Sequence, residues 1–424
     1  MQNSAAVDSV DNRQGIKQLL RSLGPGIMMA TAAVGGSHLV ASTKAGAIYG
    51  WQLAVVILLV NLFKYPFFRA GVQYTMGTGK SLIEGYREMG RGYLWMFTAL
   101  AAISAVVNTA ALLLFSASLF GYFSPLELSL TANAAIIAVV CLAILLAGHY
   151  KALDKLSKTI MAVLVVATVG AVVIASSNGA VAPADYQSPS AWNIAAIGFI
   201  VIMMGWMPAP IEISCLTSLW LKSQRKQQTV TAESALCDFN VGYIGTAILA
   251  VVFLALGALV LHGNGQELKT SGIGFSHQLV SMYALTIGEW SRYLIAIVAF
   301  FCIFGSTITV IDGYARSLAE AQLLIQGKEL EQRKFHNSWM LVVSAVAMAI
   351  LMFFTSALMT MLNFAMILAF MTTPVFALLN YRLIASSQLK GKLALSNRMK
   401  ALCWLGLAYL FGFLFVFIWW KWLM

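Results

Sequence analysis

The sequence predicts an all-α, polytopic membrane protein, on the basis of its composition, its apolar runs and the charges between them. Of 424 residues, 60% are hydrophobic and only 10% are charged, whereas soluble domains have roughly 45–50% and about 25%. Eleven apolar runs are long enough to cross a bilayer core, which takes about 20 residues of helix. The longest polar stretches, near 178–189 and 263–289, are predicted to be extracellular loops, and 317–335 is predicted to be a cytoplasmic connection.

The eleven predicted spans are numbered 1 to 11 in chain order. They cover residues 24–46, 50–74, 93–121, 129–149, 156–177, 190–221, 236–262, 290–313, 336–356, 358–383 and 400–422. The preceding residues 1–23 lack the basic start, short apolar core and small-residue site of a cleavable signal peptide. We therefore predict that they form a cytoplasmic tail.

Positive charge is concentrated in the tail and in alternate connections. Together these hold 21 of the 27 Lys and Arg residues. The positive-inside rule assigns that side to the cytoplasm, and an odd number of spans then puts the C-terminus outside. We predict an integral protein of the plasma (inner) membrane. A net charge of +11 that is divided among the connections does not indicate nucleic-acid binding.

Spans 1 and 6 are interrupted near mid-membrane. Span 1 contains Gly35 and Gly36, followed by His38, and span 6 contains Pro208 and Pro210. Proline removes a backbone donor from a helix, and unpaired backbone groups at this depth require surrounding protein or a water-filled cavity. Either break alone is compatible with a packing kink.

The two breaks lie five spans apart, an odd interval that makes the second set of spans run opposite to the first. Discontinuous helices at equivalent positions of inverted repeats mark a substrate site near the midplane. We therefore predict a transporter core over residues 24–383, with repeats 24–177 and 190–383. The segment 400–422 is the additional eleventh helix.

Short motifs lie on or beside spans 1, 2, 6, 8 and 10. They are "GPG" at 24–26, "ILLVNL" at 57–62, "GTGKSL" at 77–82, "MP" at 207–208, "STIT" at 306–309 and Pro374. In this order they resemble the natural-resistance-associated macrophage protein (Nramp) family of divalent-metal transporters. The resemblance implies the eleven-helix version of the LeuT-like fold and transport by alternating access.

The residues that bind metal in that family are only partly present. The resemblance places the family's Asp-Pro-Gly-Asn of span 1 on residues 35–38, which read Gly-Gly-Ser-His here. The family's Met-Pro-His of span 6 falls on residues 207–209, so the sulfur ligand stays and the histidine is replaced by Ala209. A supporting glutamine of span 10 falls on or near Thr372. The chain thus looks like a divergent branch of the family.

Each candidate ligand has an alternative role. His38 begins the outer half of span 1, where a positive helix end favours neutral imidazole, either as a metal ligand or as a partner of exposed carbonyls. Met207 offers a soft thioether or simply fills the core. Glu212 is an intramembrane acid and so a functional candidate, or else it caps the second half of span 6. Segments 34–37 and 207–210 are expected to be unwound and to face each other.

The predicted substrate-binding residues are Gly35, Gly36, Ser37, His38, Met207, Ala209, Glu212 and Thr372, with His38 and Met207 as metal ligands. Candidates for coupling or gating are Glu212, Lys64, Asp312, Arg316 and Asn108.

Spacing and polarity limit the roles of these coupling candidates. Asp312 and Arg316 are four residues apart and can pair on one helix face. Lys64 either joins an ion pair or extends along the membrane to the interface. Span 3 contains no Asp, Glu or His, and its strongly polar residue is Asn108. Proton relays need titratable groups, so we predict weak or absent proton coupling of the kind found in the family.

The leading functional prediction is a secondary transporter of a divalent metal ion, either of the Mn/Fe type or Mg²⁺ that keeps part of its water shell. The alternative is a small organic solute carried by the same fold. No HExxH, GxSxG or Walker motif is present, so an enzyme is not predicted, and no cofactor is expected. The predicted partners are the transported substrate and the lipid bilayer. The five cysteines are scattered singly and are interpreted as packing residues.

Overall fold

A computed structural model describes residues 24–125, 127–148, 150–183, 185–265, 269, 272–327, 332–353 and 358–423. Regular structure in these residues is helical. The fifteen α-helices are α1 (Pro25–Ala33), α2 (Thr43–Tyr49), α3 (Ala54–Thr78), α4 (Leu82–Met89), α5 (Arg91–Phe123), α6 (Leu130–Leu146), α7 (Tyr150–Asn178), α8 (Ile197–Gly205), α9 (Ile213–Gln227), α10 (Ala232–Val260), α11 (Gly272–Ile287), α12 (Arg292–Gln326), α13 (Gln332–Leu351), α14 (Leu358–Ser386) and α15 (Asn397–Trp422). A π-helical segment, Ser37–Ser42, leads into α2.

Seven of these helices combine the length and the apolar composition that crossing a membrane requires, namely α3, α5, α10, α12, α13, α14 and α15. The other four predicted spans coincide with shorter or interrupted helices. Span 1 corresponds to α1 and α2, span 4 to α6, span 5 to α7, and span 6 to α8 and α9. The chain is therefore an integral membrane protein, and each predicted span coincides with helical structure.

The connection at 263–289 was predicted to be a loop, and this prediction was wrong, because it contains α11. Phe275, Leu279, Met282 and Tyr283 are all buried, and their spacing places them on one face of a helix. The polar residues between them lower the average hydropathy of the segment. Periodicity, rather than average polarity, was the informative signal.

The bundle is built around α12, and its outer helices present apolar side chains to the surroundings. In an apolar 18-residue stretch of α12, 83% of the residues are buried, whereas only 28% are buried in the corresponding stretch of α15. Large apolar side chains such as Leu58, Val139 and Val166 are exposed. On a membrane protein, such side chains face the lipid tails.

Glycines bring the two parts of span 1 into backbone contact with α10. A Cβ atom on Gly46 would lie 2.0 Å from the carbonyl oxygen of Leu254, and one on Gly257 would lie 2.2 Å from that of Thr43. Small residues allow this approach between membrane helices. These contacts fix α2, the second part of span 1, against α10.

The other end of span 1 is held by Asp238 of α10. Its carboxylate accepts hydrogen bonds from the backbone N–H groups of Gly24 at 3.1 Å and Gly26 at 2.7 Å. The first N–H groups of a helix have no partner within the helix and carry partial positive charge. Asp238 therefore acts as a cap for α1, supplied by another helix.

Candidate functional site

The break in span 1 is short and follows from its two glycines. α1 ends at Ala33, and the helical ladder resumes with the bond from Leu39 N–H to the Gly35 carbonyl at 3.0 Å. A Cβ atom on Gly36 would lie 2.5 Å from the indole ring of Trp206. A side chain at position 36 is therefore excluded unless that ring moves. The break covers residues 34 and 35 and is shorter than the predicted segment 34–37, because Gly36 already has helical backbone angles and Ser37 belongs to the π-helical segment.

The break in span 6 is longer and coincides with the two prolines. α8 ends at Gly205 and α9 begins at Ile213, so residues 206–212 connect them without α-helix. The hydroxyl of Ser37 lies 2.6 Å from the Ala33 carbonyl oxygen and 3.3 Å from that of Pro208. The Ser37 side chain thus brings the two breaks into direct contact.

A small cavity of about 30 Å³ lies between the two breaks, α5 and α12. Its polar wall residues are Ser37, Asn108, Trp206 and Tyr314, and the remaining described wall residues are Ala32, Ala33, Gly36, Leu112, Pro208, Ala209, Pro210, Ile213 and Val310. The walls therefore present apolar surface with a few neutral polar groups, and no carboxylate, imidazole or ammonium lies among them.

A chain of hydrogen bonds connects the cavity wall to a buried carboxylate. The Trp206 indole donates to Asn108 Oδ1 at 3.0 Å, and Asn108 Nδ2 donates to the Tyr314 hydroxyl at 3.0 Å. Tyr314 donates in turn to Glu212 Oε1 at 3.0 Å. Glu212 is only 1% exposed and makes no side-chain cap to α9. The chain links the break in span 6 to α5 and α12.

Lys64 of α3 is fully buried and points at the end of α8. Its Nζ donates to the carbonyl oxygens of Met204 at 2.8 Å, Gly205 at 3.1 Å and Ala209 at 3.3 Å. Glu212, three residues after Ala209, lies on the same break. The Lys64 side chain thus contacts the break in span 6 and does not extend to the membrane interface.

The two predicted metal ligands lie outside the cavity wall. Both ring nitrogens of His38 are in hydrogen-bond contact within the protein, Nδ1 with Ser37 Oγ at 2.6 Å and Nε2 with the Thr246 carbonyl at 2.9 Å. Its ring also packs edge-on against Phe253 of α10. Met207 is fully buried. The geometry engages His38 with α10 rather than with a ligand.

Of the other predicted substrate residues, only some approach the cavity. Gly36, Ser37 and Ala209 line it. Gly35 lies beside it, and a Cβ atom there would point at Ser306 of α12, 3.0 Å from its hydroxyl oxygen. Thr372 donates to the Ala369 carbonyl of its own helix. The cavity wall therefore includes three of the eight predicted substrate residues.

Asp312 and Arg316 form an ion pair on α12 at 2.9 Å, and His336 Nε2 of α13 lies 3.1 Å from the same carboxylate oxygen. Neither Asp312 nor Arg316 lines the cavity. Their position indicates a contact between α12 and α13.

A second ionic cluster lies on the side that the sequence predicts to be cytoplasmic. Lys222 of α9 lies 2.7 Å from Glu84 of α4 and 3.4 Å from Glu320 of α12. Burial alone would raise the pKa of Glu84, but hydrogen bonds from Lys222 and the Ser81 backbone outweigh it and lower this pKa. The cluster ties the second half of span 6 to its neighbours.

Two polar residues of the cavity wall were not selected from the sequence. Trp206 directly precedes the Met-Pro break, and Tyr314 lies midway between Asp312 and Arg316. An aromatic side chain with a polar tip beside a break was the available signal. Among the described residues, no group of three or more His, Cys, Asp or Glu side chains is arranged to hold a metal ion.

Comparison with known proteins identifies a family and a highly similar relative. A family model described as "Natural resistance-associated macrophage protein-like" matches residues 26–420. An uncharacterised protein of Pasteurella multocida is 50% identical over 400 residues, which are 94% of this chain and 92% of that protein.

Several solved transporters have a similar fold. A manganese transporter of Eremococcus coleocola gives a TM-score of 0.69 at 14% identity, over 95% of this chain and 87% of that one. MhsT in complex with L-phenylalanine gives a TM-score of 0.60 at 12% identity, over 93% of this chain and 98% of that one. Mhp1, a nucleobase-cation-symport-1 family transporter with bromovinylhydantoin bound, gives a TM-score of 0.57 at 13% identity, over 84% of this chain and 77% of that one. The predicted LeuT-like fold is confirmed by these similarities.

Proposed function

Because this chain belongs to the Nramp family of membrane transporters, we propose that it moves its substrate by alternating access through the cavity between the two broken spans. The observation that carries this proposal is the meeting of the breaks at one cavity, with Ser37 of the first 3.3 Å from the Pro208 carbonyl of the second. Broken helices that face each other at mid-membrane form the substrate sites of such transporters.

Membership of the family supports a metal ion as the substrate. This cavity offers an ion neutral oxygen atoms, such as the Ser37 hydroxyl and backbone carbonyls of the breaks. Divalent ions that lose all their water need charged or strongly donating ligands, whereas Mg²⁺ usually keeps several waters. We therefore propose that a divalent ion binds here partly hydrated. This donor set suits Mg²⁺ better than bare Mn²⁺ or Fe²⁺.

A small organic solute is the second candidate, and the cavity lining favours it. Apolar side chains, including Leu112, Ile213 and Val310, make up much of the wall, and Trp206 adds a flat aromatic surface. The cavity measures only about 30 Å³ in this conformation, well below the roughly 300–1,000 Å³ of small-molecule pockets, so such a solute requires the two breaks to move apart. The polar groups of Asn108 and Tyr314 would then orient a solute with an apolar body.

Uptake into proteoliposomes separates the two candidates. The purified protein is tested side by side with Mn²⁺, Mg²⁺ and radiolabelled amino acids and nucleobases, and protein-free liposomes serve as the control. Saturable uptake of either ion supports the metal substrate, and saturable uptake of an organic compound supports the second candidate. If a stable, correctly folded protein takes up none of them and binds none of them, these substrate assignments are contradicted.

A further inference from the structure

The surroundings of Lys64 match a cation site in which the cation is part of the chain. Three carbonyl oxygens, those of Met204, Gly205 and Ala209, lie within 3.3 Å of its Nζ atom. An ammonium group has three N–H donors, and an uncharged amine has only two. The three carbonyl contacts therefore match the three donors of the charged form of Lys64.

The position of these carbonyls explains why a cation is stabilised there. α8 ends at Gly205, and the last carbonyls of a helix lack partners within the helix and carry partial negative charge. In broken-helix transporters, such half-helix ends and unwound carbonyls coordinate the coupling cation.

Glu212 supplies the opposite charge on the same break. Its side chain is almost fully buried, and it lies three residues after Ala209, whose carbonyl accepts from Lys64. A buried charge is strongly unfavourable unless it is paired and hydrogen-bonded. Lys64 meets the hydrogen-bonding requirement through the carbonyls of Met204, Gly205 and Ala209, and Glu212 is a buried acid on the same break. None of these contacts places Lys64 in the cavity wall.

We propose that the Lys64 ammonium is a tethered cation, which occupies the cation-binding end of α8 in place of a dissociable inorganic ion. Transport, in so far as the proposed function holds, then proceeds without Na⁺ or K⁺ at this position. Removing the side chain empties the carbonyl cluster and creates a site for a small free cation.

The experiment measures thermal stability in detergent, which does not depend on a known substrate. The midpoint temperature of unfolding of the wild-type protein should be the same in NaCl, KCl, methylammonium chloride and choline chloride at equal ionic strength. The midpoint of Lys64→Ala should rise in at least one of the first three salts relative to choline. A cation at roughly tenfold above its Kd should raise it by about 2–4 °C.

Arg69→Ala is the matched control, because Arg69 lies on the same helix and also donates to a backbone carbonyl, that of Lys392, at an exposed position. It should show no preference among the salts. If Lys64→Ala does not fold, Lys64→Ala/Glu212→Gln removes both charges and keeps the carbonyl cluster, so the response to small cations should remain. Indifference of the folded variant to every cation tested overturns the proposal, as does a Na⁺ or K⁺ requirement of the wild type.

Uptake separates this proposal from the proposed function. Wild-type uptake of an identified substrate should be equal in Na⁺, K⁺ and choline, whereas Lys64→Ala should recover part of its lost uptake in the salt that stabilises it. If no substrate is transported at all, the proposed function fails, and the stability measurement still decides the role of Lys64.

Discussion

The indole of Trp206 donates a hydrogen bond of 3.0 Å to the side-chain oxygen of Asn108, which joins the break in span 6 to α5 at the cavity. The nitrogen of the same amide donates to the Tyr314 hydroxyl, also at 3.0 Å. One neutral side chain thus positions two aromatic wall residues that come from different helices.

Replacing Asn108 with Ala should therefore release both aromatic side chains. Loss of two buried hydrogen bonds costs about 1–3 kcal/mol, so we expect the uptake efficiency of the identified substrate to fall about tenfold. Ser116→Ala is the matched control, because Ser116 lies on the same helix as Asn108. It removes a buried hydroxyl contact with Thr307 of α12, away from the cavity wall. Equal uptake by Asn108→Ala and wild type, at equal protein levels, would show that this amide does not organise the site.

A methyl group at Gly36 should block the cavity. Its Cβ atom would lie 2.5 Å from the Trp206 ring, which has to move into the space left for the substrate. We expect uptake to fall by at least about tenfold, because displacements near 1 Å at a site can cost this much. The comparison variant is Gly245→Ala on α10, where the added methyl meets no atom within 4 Å. It should keep full uptake, and if Gly36→Ala does so too, the substrate passes elsewhere.

Removing the Asp238 carboxylate should destabilise the protein by loosening α1. Asp238→Ala leaves the Gly24 and Gly26 N–H groups without their charged acceptor. Hydrogen bonds to charged groups contribute about 1.5–3 kcal/mol each, so the unfolding midpoint should drop measurably in a detergent melt. Glu233→Ala on the same helix removes an exposed ion pair with Lys392, which contributes little because solvent screens it. A drop no larger than that of the control would assign Asp238 no capping role.

Transport should be weakly or not at all driven by protons. Glu212 is the buried acid of the hydrogen-bond chain, and α5 contributes an amide to that chain, Asn108, rather than an acid. Proton relays through membranes run on titratable groups. A pH dye inside proteoliposomes should therefore report little acidification during substrate uptake. Substrate-dependent acidification that Glu212→Gln abolishes would reverse this prediction and make Glu212 the proton carrier.

The sequence predicted the helices and both breaks because these depend on local chemistry. Apolar runs of sufficient length specify membrane helices, and Gly35, Gly36, Pro208 and Pro210 interrupt helices wherever they occur. The prediction failed at α11, where averaging concealed a helical period. The boundaries of the inverted repeats remain a prediction.

The direction of side chains at the breaks could not be predicted in the same way. His38 and Lys64 both lie near a break along the chain, yet the structure turns the first towards α10 and the second towards the end of α8. Helix rotation and tertiary packing set these directions, and the π-helical segment at Ser37–Ser42 shifts the face that follows it. Trp206 enters the wall for a packing reason, because Gly36 leaves space for its ring.

The most direct test of transport through this cavity is the accessibility of a cysteine at position 209. Ala209→Cys is made in a protein whose five native cysteines are replaced, reconstituted in one orientation, and exposed to a membrane-impermeant thiol reagent from each side. Ala347→Cys, in the buried core of α13, is the unreactive control. Alternating access predicts labelling of Cys at 209 from both sides, slowed by the transported substrate. Labelling from one side only under every condition, in a protein that transports, would contradict the account.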